Sequence, residues 1–105
     1  MSSIPPSRWL EHSNQRLEDA RLLLAHNRPE TALSNAYFAL FYACKALLLT
    51  RGHDYRERLN TRLPALLQTE RARCDYELVS YPHVHAEHRI HQANSFVNES
   101  REIVE

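Results

Sequence analysis

Histidine is the one side chain whose ordinary titration falls near neutrality, and this chain has seven. Four of them stand close together: His83, His85, His88 and His91. A metal site is the first chemistry to weigh. His85, His88 and His91 step by three, so on a helix their directions drift by about 60° per step. Three such side chains do not easily converge on one ion, whereas a pair with a carboxylate could; no metal site is predicted. Acid–base work is the second chemistry, and a solvated helix start beside polar neighbours is the plain alternative. A second group is Asn35, Tyr42 and Lys45, which share a helix face. It suits a phosphate or nucleotide contact. The plain alternative is a lysine whose stem packs on the protein while its ammonium reaches water. Arg71, Arg73 and Asp75 form a third group, suited to an ion-pair network between helices.

Several chemistries are excluded. There is no Gly-rich phosphate loop, no H-E-x-x-H, no C-x-x-C and no nucleophile elbow. Cys44 and Cys74 have no metal spacing and no disulfide framework. No cofactor is predicted. Formal net charge is zero, so no whole-molecule field draws in nucleic acid or membrane. The charge is unevenly spread: residues 51–73 hold six Arg against Asp54, Glu57 and Glu70, while residues 74–105 hold two Arg against six carboxylates. The basic stretch could track a phosphate backbone, although its interspersed acids fit a charge-mixed surface better.

The stretch Thr31 to Leu49 must position most of these groups. It contains one charged residue, Lys45, and no Gly or Pro. At roughly 100° per residue it sorts into three faces. Ala32, Ala36, Ala39, Ala43 and Ala46 share one. Leu33, Tyr37, Leu40, Cys44 and Leu47 share the next. Ser34, Asn35, Phe38, Tyr42 and Lys45 fall on the third. A helix apolar nearly all round is buried among others. The Ala face admits a close neighbour, the Leu face fills a core, and the third face suits a partner, a second copy or a ligand.

At 105 residues, with one Gly, the chain predicts a single helical domain over 1–105 with a frayed tail at 1–6. Ser7 is the expected N-cap of a first helix carrying Leu10, Leu17, Ala20 and Leu24 on one stripe, with Trp9 near its start. Asn27 is expected to end it in a left-handed turn, Pro29 to open the next helix, and Gly52 to close it. Pro64 limits helix among Leu59, Leu63, Leu66 and Leu67. A short helical piece near 55–61 and a better helix near 64–74 follow. Residues 77–84 read as a loop. A last helix runs from about His85 to Val104, with a seam of Ala86, Ile90, Ala93, Val97, Ser100 and Val104. No stretch offers the apolar length of a membrane span and none resembles a signal peptide, which places the chain in the cytoplasm.

AYFALFYACKALL, Ala36 to Leu48, resembles the central helix of the HEPN domain family, where A-Y-Y-A-x-F-x-A-A-K-A-L-L is typical. RLEDARLLL, Arg16 to Leu24, resembles the family's first helix. RARCDY, Arg71 to Tyr76, with AEHRIHQANSFV, Ala86 to Val97, resembles its R-x-x-A-D-Y turn and last helix. The chain is shorter than the family by about one helix before that turn. The resemblance therefore implies a compact, antiparallel, up-and-down four-helix bundle. It also implies a homodimer, often paired with a minimal nucleotidyltransferase in a toxin–antitoxin-like system. Phe38, Phe41 and Tyr42 are the expected dimer interface. Asn35, Lys45 and the histidines would then rim a groove for a nucleotide or RNA. Asp75 is expected as a local cap and Tyr76 as an anchored ring. RNA-cleaving members carry an Arg followed four to six residues later by a His. From Arg73 those positions are Leu78, Val79 and Ser80, from Arg71 they are Tyr76, Glu77 and Leu78, and the first histidines are His83 and His85. The family's pair is absent at that spacing. An endoribonuclease would need a displaced pair of Arg73 with His83 or His85; a non-catalytic binding module is the favoured reading.

Overall fold

The computed structural model describes residues 4–50 and 59–104. They form four helices, α1 (Pro6–Ala25), α2 (Pro29–Leu48), α3 (Leu63–Tyr76) and α4 (His83–Val104), and no strand. The bundle is all-α, as expected. Antiparallel order is visible in side-chain partners. As α1 runs from Trp9 through Ser13 to Arg16, its partners on α2 run back from Tyr42 through Ala39 to Asn35. No helix among the described residues is long and apolar enough to cross a membrane.

Helix ends follow local backbone chemistry, with one correction. The N-cap of α1 is Pro5, not Ser7. Pro6 fills the first helical position, where its fixed φ fits and its missing N–H has no partner to lose. Ser7 therefore lies inside the first turn. Asn27 adopts φ 60°, as predicted. Its N–H donates to the Leu24 carbonyl, and the Arg28 N–H donates to the Leu23 carbonyl at 2.8 Å, which together make a Schellman close. Pro29 then opens α2. Pro64 sits in the first turn of α3, so this helix starts at Leu63 rather than being broken there. Of the expected piece at 55–61, Leu59 is a bend, Asn60 is irregular and Thr61 begins a turn. The rest of it, and Gly52, lie outside the described residues. α4 begins at His83, two residues earlier than its apolar pattern indicates, because the Pro82 carbonyl accepts the N–H groups of His85 and Ala86.

Packing confirms the three faces of the second helix. All five alanines of its Ala face are fully buried, and so are Leu33 and Leu40, with Leu47 nearly so. Facing them, α1 buries Leu10, Ser13, Leu17, Ala20 and Leu24. Ser13 occupies the one gap in the predicted stripe. Its hydroxyl donates to the Ala39 carbonyl at 2.7 Å, a buried bond that requires the two backbones to lie close. On α4 the expected seam is buried from Ala86 to Ser100, and Phe96 and Ile103 widen it. α2 packs against all three other helices, whereas α1 and α3 do not touch each other. The third face of α2 lies between them, reached by Arg16 of α1 and Arg71 of α3.

Ala39 has no exposed surface and lies at the closest approach of α1. Ala39→Leu is expected to overpack this contact at a cost of about 1–3 kcal/mol. Urea denaturation checks it; an unchanged midpoint would reject the assignment of the Ala face.

Candidate interaction site on the second helix

Four aromatic residues follow one another along α2: Tyr37, which packs against the core, and Phe38, Phe41 and Tyr42 on the outer side. Tyr37 meets Phe38 edge-on at 5.3 Å, and Phe41 meets Tyr42 edge-on at 5.7 Å. Trp9 of α1 stacks on Tyr42 at 5.7 Å, and His12 approaches the same ring. Phe41 is the most open ring, 41% exposed, while Phe38 and Tyr42 are half-buried.

Cations lie over these rings. Arg16 of α1 and Arg71 of α3 both lie over Phe38, at 5.3 and 4.9 Å from its centroid. Arg71 also lies over Tyr37, and the Lys45 ammonium is 5.6 Å from the Phe41 centroid. A cation over a ring face is attracted by the ring quadrupole, worth about 0.5–1 kcal/mol when exposed. Polar partners fix the two arginines. Arg16 Nη1 donates to Asn35 Oδ1, and Arg71 Nε donates to Ser34 Oγ. Arg71 also pairs with Asp75 one turn on, at 3.6 Å. The anticipated group of Asn35, Tyr42 and Lys45 is therefore on one face, but Asn35 is engaged: it accepts from Arg16 and donates to the Thr31 carbonyl.

The second cluster joins α3 to α4. Glu70 is buried, 5% exposed. Its carboxylate accepts from Arg89 Nε at 2.8 Å and Nη2 at 3.4 Å, and it bonds His85 Nε2 at 2.5 Å. Tyr81 stacks on the His85 ring at 4.7 Å, and Arg89 Nη1 donates to Gln92. The other histidines are not gathered here: His83 pairs weakly with Glu87, and His88 and His91 are exposed. Among the described residues no three His, Cys, Asp or Glu side chains assemble as a metal set. Arg73 is exposed on α3. Burial raises the Cys44 thiol, and burial, then Glu30, Asp75 and Glu70, raise that of Cys74. Neither is an activated nucleophile.

Three expectations are corrected. Tyr76 is 83% exposed and is not an anchored ring among the described residues. Asp75 is an ion-pair partner within α3 rather than a cap. Arg71 reaches across to α2 instead of building a network with Arg73. Arg16 and Arg89 lie inside stretches that resemble the family's first and last helices, but nothing there assigns them a role, and Glu70 lies in no motif. Glu70 had one usable signal: it continues the Leu63, Leu67 spacing of α3's buried stripe.

With this geometry in place, comparison with known proteins is informative. The sequence profile of the HEPN domain family, described as "HEPN domain", matches residues 6–105. A UPF0332 protein of Thermotoga maritima is 40% identical over 47 residues, covering 45% of this chain and 36% of that protein. UPF0332 protein PH1297 of Pyrococcus horikoshii is 40% identical over 45 residues, covering 43% and 32%. The chain thus matches about a third of the length of each of these curated relatives. No solved structure matches it.

Removing one partner of a buried ion pair strands the other charge. Glu70→Ala is expected to cost about 3 kcal/mol. Glu11→Ala, which removes the exposed Arg8–Glu11 pair, should change stability by less than about 0.5 kcal/mol. Equal midpoint shifts in chemical denaturation would show that Glu70 does not hold α3 to α4.

Proposed function

The chain belongs to the HEPN domain family, and from that premise we propose that it is a non-catalytic binding module acting as a homodimer. Its protein partner would be a minimal nucleotidyltransferase, in a toxin–antitoxin-like pair. One observation supports the binding reading above others. The helix on which every other helix packs still presents aromatic rings and cations to the outside, on its Phe38, Phe41, Tyr42 and Lys45 face. Exposed aromatic surface on a small helical protein marks an interaction site. A second copy is the occupant the family favours, placed so that Phe41 and Tyr42 of both copies meet near a two-fold axis. Lys45 at the edge of that contact has the charge to hold a nucleotide phosphate, with an aromatic ring beside it for the base.

One observation favours a second reading, an endoribonuclease with a displaced Arg and His pair. His85 is bonded by a buried carboxylate, the arrangement that orients a general base. Arg89 is held away from such a role by Glu70 and Gln92, which engage three of its five N–H groups.

Two measurements test these readings. Sedimentation velocity at micromolar concentration should show a dimer that Phe41→Glu converts to monomer. Phe38→Glu is the weaker probe, since a new carboxylate there would pair with Arg16 and Arg71. A monomeric parent, or a dimer indifferent to Phe41→Glu, would remove the interface. Incubation with single-stranded RNA should leave the RNA intact; cleavage lost in both Arg73→Ala and His85→Ala would replace the binding module with the enzyme.

A further inference from the structure

We propose that α3 is a flap, latched by Glu70, that opens as one unit while α1, α2 and α4 stay packed on one another. It does not depend on the homodimer proposed above; its ground is how unevenly the four helices are held. α1, α2 and α4 each pack on both of the others, and Arg21 of α1 is also bonded to Asn94 of α4. α3 does not touch α1, and it buries only Leu63, Leu67 and Glu70. Its other attachments among the described residues are polar: Glu70 to Arg89 and His85, and Arg71 to Ser34.

Bonds of this kind orient a helix more than they bind it. Seating Glu70 strips water from a carboxylate, a guanidinium and an imidazole, and that loss offsets much of the attraction between them. When α3 leaves, the charges regain water together. Separating the other helices has no such return, because apolar surface gains nothing from water. A half-open position is the poor one: an unseated Glu70 would leave the largely buried Arg89 without its carboxylate. The latch therefore has two positions, seated and fully released.

The joint between α3 and α4 leans toward release. Leu78 has φ 53°, in the left-handed region, and it is 84% exposed. Leucine is strained there, whereas the close of α1 uses Asn27, a residue that tolerates this conformation. The Arg73 carbonyl holds the strained form, accepting the N–H groups of Glu77 and Val79. Releasing α3 frees Leu78 to return to ordinary backbone angles, so the strain favours opening. A helix of 14 residues is marginal alone in water, so α3 melts once it is off the bundle. Opening also lifts Arg71 from Tyr37 and Phe38, and the latch on α4 thereby controls how much aromatic surface α2 presents.

Native-state hydrogen exchange on the full chain tests this, read residue by residue at one pH and temperature. The interior amides of α3, residues 68–76, should exchange at similar rates, about a hundredfold or more faster than the slowest amides of α2 and α4. Their rates should also climb less steeply with urea, because releasing one helix exposes less surface than unfolding the bundle. Glu70→Gln keeps the shape of the side chain without its charge, and should speed α3 exchange by about tenfold or more. Leu78→Asn, which suits the left-handed joint, should slow it. α3 amides as protected as those of α2, with the same urea slope, would overturn the flap; the parent alone decides this, whether or not Glu70→Gln folds. Early exchange of α3 that keeps the parent's rate in Glu70→Gln would overturn the latch, and the same result in Leu78→Asn would overturn the strained joint.

Discussion

Five alanines on one side of α2 set the distance at which α1 can lie. With only methyl groups on the α2 side of the contact, the two backbones come near enough for the Ser13 hydroxyl to bond the Ala39 carbonyl. A larger residue at either position would push the helices apart and strand that hydroxyl. Close approach on one side leaves the Leu face of α2 free to carry most of the apolar volume, shared with α4 and α3. The second helix can then be the centre of the bundle with two of its three faces. The third face is not needed for the core and is free for another task.

The same economy explains why α3 is held differently from the rest. It buries only Leu63, Leu67 and Glu70, and α1 gives it no support. Apolar burial of two leucines is a modest force. The remainder of its attachment is polar: Glu70 to Arg89 and His85 of α4, and Arg71 to Ser34 of α2. Charged hydrogen bonds are directional in a way apolar contacts are not. They fix α3 in rotation about its own axis, and this is what brings Arg71 over Phe38. The buried cluster at α4 and the Arg71 contact on the aromatic face of α2 are therefore two sides of one helix placement.

Much of this was legible in the sequence because it depends on short-range geometry. The three faces of Thr31–Leu49 follow from residue spacing alone, and the close at Asn27 follows from the readiness of asparagine for a left-handed conformation. The start of α1 was misread because two start signals are adjacent and Pro6 takes the position next to the one Ser7 would need. The start of α4 was read late because its first turn is set by the Pro82 carbonyl, a backbone acceptor with no side-chain signature. Tyr76 was expected to be anchored by analogy with the family's turn, but α3 ends there and no helix covers it. Glu70 was hidden for a different reason. Its partners arise 15 and 19 positions away on another helix, and one-dimensional spacing does not distinguish a buried carboxylate from a solvated one.

Aromatic residues on an outward face raise a problem that the arginines bear on directly. Bare rings in water favour any apolar contact, including wrong ones. Arg16, Arg71 and Lys45 cover part of these rings while keeping their charged ends wetted. The cover also repels positively charged surfaces and accepts negatively charged ones, so it filters partners as well as shielding the rings. Asp75 tempers the charge at one of the three positions only. A face built this way is held apart from nonspecific partners by charge and leaves its rings open to specific ones.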